Sequence, residues 1–284
     1  MTLLITGASG NLGRLVIDRL LARGATPSDI IAGARDPQKV ADLQARGVRV
    51  ARVDYDDPAT VTDAMTGVDR VLLISGSEVG RRIPQHQAVI DAAVTAGVDL
   101  FAYTSVTKAD TSTIPLAPEH LATERAISAS GLPAVILRNN WYTENFAPAL
   151  DQARATGVLA ASVGEGRIPA ASRADYADAS AAVLLSDGHA GKVYELAGDT
   201  ALDHHQIAAA MTEVLGREVV YQSLTTEEHL AVLREAGLDE GTAGFVTGID
   251  ASIRIGDLDV AGHALADLTG HPTTPLVDGL RPAR

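Results

Sequence analysis

The chain has 284 residues, and its 36 acidic residues outnumber its 23 basic ones, giving a net charge of −13 at pH 7. A chain this acidic is a poor candidate for nonspecific nucleic-acid binding, because it would repel phosphates. It has no cysteine, which excludes disulfides, thiol nucleophiles and cysteine-type metal sites. The N-terminus has the pattern of a core strand rather than a signal peptide, and no apolar run approaches the ~20 residues of a membrane span. We therefore expect a cytoplasmic protein without a membrane or nucleic-acid partner.

The chain begins with the pattern strand, glycine loop, helix. The apolar run Leu3-Leu4-Ile5 is followed by three glycines spaced three residues apart, and then by apolar residues with helical periodicity. In a dinucleotide site the first glycine permits a tight turn, the second lets the backbone approach the pyrophosphate, and the third lets the helix pack on the strand. The pattern predicts a dinucleotide-binding loop formed by Gly7, Ala8, Ser9, Gly10, Asn11, Leu12 and Gly13.

The end of the second predicted strand, 30–35, indicates which dinucleotide binds. NAD sites place a carboxylate there, about 20 residues past the loop, to hold the ribose 2′-hydroxyl. Here Arg35 occupies that position and Lys39 follows one helical turn later, and both suit a 2′-phosphate. Asp36 is expected to cap the helix that starts at Pro37. We predict NADPH as the cofactor, with NADH as a weaker alternative.

Strands and helices continue to alternate up to residue 140. Apolar strands are predicted at 48–53, 71–75, 100–105 and 134–138, and helices at 59–65 and 85–96. Repeated βα units predict an α/β fold of the Rossmann type, with a doubly wound parallel sheet. Ligands bind at the carboxyl ends of such strands. The cofactor-facing residues predicted on that basis are Asp54, Tyr55, Ser75, Gly76, Ser77, Thr104, Ser105, Arg138, Asn139 and Asn140.

After residue 140 the alternation weakens. Short strands are predicted at 158–159, 193–196 and 219–221, and helices at 175–185, 205–215, 227–236 and 263–269. We predict a smaller, mostly helical lobe over residues 141–284, packed on an NAD(P)-binding domain of residues 1–140 to which some later segments return. Trp141, Tyr142 and Phe146 are suited to stack on a flat substrate, with packing inside the lobe as the alternative.

Several segments resemble the NmrA-like atypical short-chain dehydrogenases, and within them the type-2 NAD(P)H:quinone oxidoreductases. The resemblance covers nearly the whole length and includes the glycine loop and segments 73–80, 102–105, 137–145, 172–177, 193–198 and 270–276. Its most specific parts are Ser77-Glu78-Val79-Gly80 and Asn140-Trp141-Tyr142-Thr143-Glu144-Asn145. The resemblance implies direct hydride transfer from NADPH to a quinone, without a flavin.

The chain departs from ordinary short-chain dehydrogenases at the proton donor. Those enzymes use a Tyr with a Lys four residues later, whereas His120 and Glu124 stand at the positions most likely to correspond here. A quinone tolerates this loss, because its reduction gives a stabilised phenolate. We predict His120 as a general acid oriented or charged by Glu124, with a structural place at a helix start as the alternative. Asn139 and Tyr142 complete the predicted catalytic set.

Two alternatives to a quinone reductase stay open at this point. Triphenylmethane or azo dyes could replace the quinone as acceptor, and NmrA-like proteins include redox sensors that bind NADP(H) without catalysis. A homodimer is compatible with the fold. The remaining histidines, including His204 and His205, lack ligand partners at suitable spacing, so no metal site is predicted.

Overall fold

A computed structural model describes residues 1–260 and 262–281. Its strands are β1 (Leu3–Ile5), β2 (Ile30–Ala34), β3 (Arg49–Arg52), β4 (Arg70–Leu73), β5 (Leu100–Val106), β6 (Ala134–Asn139), β7 (Val158–Ala161), β8 (Val193–Leu196) and β9 (Val220–Ser223). Seven of them form a parallel sheet in the order β3-β2-β1-β4-β5-β6-β8, and β7 pairs with β9 in a second, two-stranded parallel sheet. The predicted Rossmann-type fold is confirmed.

Twelve α-helices lie in the described part of the chain. They are α1 (Asn11–Ala22), α2 (Ala41–Ala45), α3 (Pro58–Met65), α4 (Arg82–Ala96), α5 (Ala117–Ser130), α6 (Ala147–Thr156), α7 (Arg173–Leu185), α8 (His204–Leu215), α9 (Thr226–Glu235), α10 (Glu240–Arg254), α11 (Ala264–Thr269) and α12 (Leu276–Leu280). Three-residue and four-residue 3-10 helices occur at Pro27–Asp29, Pro37–Val40 and Thr143–Phe146. None of these helices is long and apolar enough to cross a membrane.

The large sheet is buried on both faces, which explains its continuous apolar strands. Along β1, Leu3 and Ile5 belong to the core under α1 and α7, whereas Leu4 belongs to the core under α3 and α4. All three side chains are almost completely buried. Since side chains alternate across a strand, one short apolar run contributes to both layers.

A third core holds the C-terminal part of the chain together. It is formed by β7 and β9 with α6, α8, α10 and α12, and it includes Leu150, Val163, Met211 and Ile253. This core lies next to the carboxyl ends of the large sheet, because Ile114 and Phe146, which follow β5 and β6, also belong to it.

Two features of the C-terminal half bear on the predicted organisation. The predicted strand 193–196 pairs with β6 and forms the edge of the large sheet, and α7 packs against α1 on one face of that sheet. Helix α10 was not predicted, because Gly241, Gly244 and Gly248 within it each lower helix propensity by about 1 kcal/mol relative to alanine. The domain boundary at residue 140 stays a prediction.

Candidate active site

The glycine loop between β1 and α1 has the conformation that its sequence requires. Gly7 has a φ of +60°, and a Cβ on Gly13 would lie 2.4 Å from the Gly7 carbonyl oxygen, so neither position accepts a side chain without strain. Helix α1 starts at Asn11, and no side chain caps its first turn. The free N–H groups there are available to an anion such as a pyrophosphate.

Two adjoining cavities follow the carboxyl ends of the strands, and because they share walls they form one groove. The first has a volume of about 240 Å³ and is lined by Gly7, Ser9, Gly10, Arg35, Val53, Asp54, Tyr55, Ile74, Ser75, Gly76, Ser77, Glu78 and Gln85. The second has a volume of about 390 Å³ and extends from Gly7, Gly10–Gly13 and Ile74–Ser77 past β5 and β6 to the C-terminal part of the chain.

Most predicted site residues line this groove. The exceptions are Ala8, Lys39, Arg138 and Phe146. Ala8 is fully buried, and Phe146 is in the core, where its ring centroid lies 6.1 Å from that of Trp141. Lys39 is exposed on the 3-10 helix after Asp36, and Asp36 caps this helix as predicted, its carboxylate accepting from the Gln38 N–H at 3.0 Å.

At the end of the groove near β2 and β3, polar side chains surround the first cavity. Arg35 is two-thirds exposed and donates to Glu78 Oε1 at 2.7 Å. The Tyr55 hydroxyl lies 2.6 Å from Thr6 Oγ1 and 3.0 Å from the Ile74 carbonyl oxygen, and this fixes the end of β4 against the segment after β3. The cavity thus has a tyrosine wall held by hydrogen bonds and an exposed guanidinium at its rim, and the guanidinium suits an adenosine 2′-phosphate.

The peptide of Gly76, in the middle of the groove, is held from both sides. Its N–H donates to His86 Nε2 at 3.0 Å, and its carbonyl accepts from Arg82 Nε at 2.5 Å. Burial, with the nearby Arg82 charge, lowers the pKa of His86 to about 4, so the ring is neutral at pH 7 and can accept at Nε2.

Side chains of helix α5 hydrogen-bond to the residues that hold Gly76. Glu119 accepts from the Gly80 N–H at 2.8 Å and pairs with Arg82 at 3.2 Å. Thr123 Oγ1 lies 2.9 Å from His86 Nδ1 and accepts its proton, because Nε2 already accepts from Gly76. The loop after β4 is therefore fixed by charged and imidazole side chains that sequence analysis missed. A signal for them was available, since Arg82 and His86 are one helical turn apart directly after that loop.

His120 lies in the wall of the second cavity. Its Nδ1 is 2.8 Å from the Tyr103 hydroxyl, and both side chains are buried. Burial, reinforced by the charge of Arg82, lowers the pKa of His120 to about 3. The ring is therefore neutral at physiological pH, and its remaining N–H can donate a hydrogen bond.

The expectation that Glu124 orients or charges His120 is wrong. Glu124 instead forms a two-point ion pair with Arg138, at 2.7 and 2.9 Å, and accepts from Ser105 Oγ at 2.5 Å. A guanidinium on the neighbouring strand outcompetes a neutral imidazole for the carboxylate. Arg138 also pairs with Glu195 at 3.0 Å, so its charge is used inside the fold rather than in the groove.

At the far end of the groove lie Asn139, the last residue of β6, and Trp141 and Tyr142, which follow that strand. Asn139 Nδ2 donates to the Tyr142 hydroxyl at 3.0 Å, whereas Asn139 Oδ1 is buried without a hydrogen-bond donor. The Arg173 guanidinium lies 4.9 Å from the centroid of the Tyr142 ring, and Tyr176 packs edge-on against the same ring at 5.1 Å. An unsatisfied buried acceptor beside a fixed ring fits the amide of a nicotinamide.

The remaining wall of the second cavity is apolar and comes from distant parts of the chain. Leu116 and Ile114 belong to the segment between β5 and α5, Ile249 to α10, and Leu258 to the loop after α10. The two segments are bonded to each other, since the Thr113 N–H and hydroxyl both donate to Asp257 Oδ2, at 2.6 and 2.8 Å. Sequence analysis missed this apolar wall because nothing local relates residues 114 and 249.

No cluster of three or more histidine and carboxylate side chains suited to a metal ion occurs within residues 1–260 and 262–281. The groove as described can hold a dinucleotide along the strand ends, with a flat apolar molecule between His120 and the apolar wall. Its polar groups are suited to orient such a molecule and to donate hydrogen bonds to it.

Comparison with known proteins shows which family the chain belongs to. The sequence model of a family described as NAD(P)H-binding matches residues 7–187. Quinone oxidoreductase 2 of Escherichia coli is 45% identical over 276 residues, covering 97% of this chain and 96% of that protein. A crystal structure of the Escherichia coli NADPH-dependent quinone oxidoreductase with NADPH matches with a TM-score of 0.95 and 44% identity over 98% of both chains.

A second enzyme is similar over the same length. The Citrobacter sp. triphenylmethane reductase, solved with NADP(H), has a TM-score of 0.93 and 36% identity, covering 98% of this chain and 99% of that one. These matches confirm the resemblance that the glycine loop and the segments after β4 and β6 predicted. The chain belongs to the NAD(P)H-binding family.

Proposed function

We propose that the protein is an NADPH-dependent quinone oxidoreductase. The observation that carries the proposal is the continuous groove, which joins the glycine loop to an apolar chamber whose one wall holds the neutral donor His120. The 45% identity to quinone oxidoreductase 2 of Escherichia coli supports it. When bound, NADPH supplies the hydride.

The residues of the groove have separable tasks in binding. The N-terminus of α1 would hold the pyrophosphate, and Arg35 the 2′-phosphate, which makes NADH the weaker cofactor. The peptide of Gly76, fixed by His86 and Arg82, would form a rigid edge for the bound dinucleotide. Asn139 Oδ1 is available to accept from the nicotinamide amide.

His120 stabilises the charge that develops on the acceptor. We assign Tyr103 as the donor to Nδ1, at 2.8 Å, and in that tautomer the imidazole proton lies on Nε2. This N–H donates to a quinone oxygen in the chamber, where negative charge grows as the ring is reduced. With its pKa lowered to about 3, the ring acts as a donor without becoming an imidazolium, and the final proton comes from water.

The apolar wall and the aromatic residues would select the acceptor. Trp141 and Tyr142 on one side, with Leu116 and Ile249 on the other, suit a flat uncharged ring. The relatives reported above are named as an oxidoreductase and a reductase, which favours an enzyme over a redox sensor. A homodimer and a cytoplasmic location stay predictions.

The test is NADPH oxidation by the purified protein with and without a benzoquinone or naphthoquinone, repeated with NADH and with a triphenylmethane dye. We expect quinone-dependent oxidation that is faster with NADPH than with NADH. Quenching of Trp141, the single tryptophan, by NADPH without turnover of any acceptor would contradict the proposal and favour the sensor.

A further inference from the structure

An acidic side chain occupies the region that a 2′-phosphate would enter. Glu78, on the segment between β4 and α4, lines the same 240 Å³ cavity as Arg35 and accepts from Arg35 Nη1 at 2.7 Å. Strands β2 and β4 flank β1 in the sheet. The ion pair therefore spans the space in front of the glycine loop, which leaves β1.

Glu78 has other partners besides Arg35. Its carboxylate lies 3.3 Å from Arg81 Nη1 and 3.2 Å from Gln85 Nε2. Both belong to or adjoin α4, on the same side of the cavity as Glu78 itself. The carboxylate can release Arg35 and still keep hydrogen bonds, so the ion pair across the cavity is the contact that a ligand can replace.

We propose that Glu78 sets the cofactor preference by competing with the 2′-phosphate for Arg35. The inference rests on the 2′-phosphate role proposed for Arg35. A phosphate monoester carries about −1.5 to −2 charges at pH 7, so the carboxylate must give up the guanidinium and then lies close to a like charge. NADH imposes no such exchange, and a carboxylate is the group that holds its ribose hydroxyl in NAD sites.

The competition lowers the affinity for NADPH more than the affinity for NADH. Arg35 alone would favour NADPH strongly, and Glu78 reduces that preference without removing it. The fold thereby binds NADPH with submaximal affinity and keeps a measurable affinity for NADH.

Glu78→Gln tests the proposal, because it removes the charge and keeps the size and the hydrogen-bonding capacity. Dissociation constants are measured without any acceptor, by calorimetry, for NADPH, NADH, adenosine 2′,5′-bisphosphate and AMP. We expect the two 2′-phosphorylated ligands to bind at least about threefold more tightly to the variant, as expected for loss of an exposed competing ion pair. NADH and AMP should bind equally well or more weakly.

Asp56→Asn is the matched control. Asp56 bonds Arg81 at 2.9 Å and Gln85 at 3.2 Å, so it belongs to the same charged cluster but does not contact Arg35. We expect this variant to bind NADPH as the wild type does. Equal tightening in both variants would overturn the proposal in favour of a general field effect, and weaker NADPH binding in Glu78→Gln would show that the carboxylate positions Arg35 instead.

The Arg35→Ala background separates this inference from the proposed function. If Arg35→Ala weakens NADPH binding and Glu78→Gln then tightens it less than it does in the wild type, the competition is supported. If Arg35→Ala weakens NADPH binding but Glu78→Gln changes nothing in the wild type, the competition fails and the role of Arg35 stands. Unchanged NADPH affinity in Arg35→Ala would overturn both.

Discussion

At the scale of single residues, His120 shows how burial changes the chemistry of a side chain. An imidazole with its usual pKa near 6.5 would be a general acid at neutral pH. Burial beside Arg82 lowers the pKa of His120 to about 3, and the Tyr103 hydroxyl fixes its Nδ1. The side chain is therefore a neutral hydrogen-bond donor at neutral pH.

This leads to a prediction about turnover. His120→Ala should lower kcat with a quinone by about 10- to 100-fold, the loss of one oriented donor, while the Kd for NADPH stays nearly constant. Tyr103→Phe should lower kcat less, because the His120 imidazole remains but its proton is no longer fixed on Nε2. Steady-state kinetics with calorimetry for NADPH measures both. Equal kcat in His120→Ala and wild type would return this histidine to a structural role.

The pH profile of the same reaction provides a second prediction. A group with a pKa of about 3 stays deprotonated above about pH 5, so kcat should not change with a histidine ionisation between pH 5 and 8. The measurement is kcat with saturating NADPH and a quinone whose own reduction is insensitive to pH in that range. An acid limb with a midpoint near pH 6.5 would contradict a neutral His120.

Recognition of the 2′-phosphate is a second role that we assign to a single residue, Arg35. Arg35 is exposed and free to move from Glu78 to a phosphate. Arg35→Ala should raise the KM for NADPH at least about tenfold, the loss of a charge-assisted contact, and leave the KM for NADH nearly unchanged. Arg49→Ala, which removes an exposed arginine from β3 without touching either cavity, is the control. Equal losses with both cofactors would rule out recognition of the 2′-phosphate.

At the scale of elements, the loop after β4 depends on the two helices that follow it. His86 on α4 accepts from the Gly76 N–H, and Glu119 on α5 holds both Arg82 and Gly80. Neutral His86 is the acceptor, so its hydrogen bond fixes the Gly76 backbone, which lines the groove. The rigid edge of the groove is thus made by helix side chains rather than by the loop sequence.

Removing that acceptor should affect binding more than chemistry. His86→Ala should raise the KM for NADPH about tenfold and change kcat less, because the loop that lines the groove loses a buried hydrogen bond. His86→Gln restores an acceptor of similar reach and should recover most of the affinity. Failure of the glutamine to improve on alanine would indicate that His86 only fills space.

Sequence predicts those parts of the site that one element specifies. The glycine loop, the strand ends at Ser75 and Thr104 and the position of Arg35 all follow from local patterns. The partners of Arg138 do not follow from local patterns. Its guanidinium pairs with Glu124 on α5 and Glu195 on β8, and only the tertiary fold brings these side chains together. The apolar wall of Ile114 and Ile249 is hidden from sequence for the same reason.

At the scale of the whole molecule, segments from the C-terminal half of the chain pack against the helices of the large sheet. Arg23 at the end of α1 makes a two-point ion pair with Asp178 on α7, at 2.8 and 2.9 Å, and His271 near the C-terminus lies 3.2 Å from the same carboxylate. Thr274 likewise bonds Asp175 at the start of α7. A boundary drawn by sequence position therefore separates segments that pack in one layer.

Buried neutral histidines connect the stability of the whole molecule to pH. Burial lowers the pKa of His86 to about 4, of His120 to about 3 and of His204 to about 4, whereas the unfolded value is about 6.5. The unfolded chain binds these protons first, so their contribution is complete above pH 6.5 and declines as the pH falls towards 4. His271, whose pKa is raised chiefly by the Pro272 carbonyl, acts in the opposite direction.

We predict that the free energy of unfolding decreases on acidification from pH 6.5 to 5, by up to about 1.4 kcal/mol per pH unit for each of the three histidines. Urea unfolding at several pH values measures this slope. His204, outside the groove, can be changed without affecting cofactor binding, and His204→Gln should reduce the slope by about a third of the histidine contribution. Gln152→Ala, an exposed substitution on α6 that removes no ionisable group, is the control and should leave it unchanged. A slope that is the same in His204→Gln and wild type would mean that His204 binds its proton equally well in the folded and the unfolded chain, which would contradict the lowered pKa.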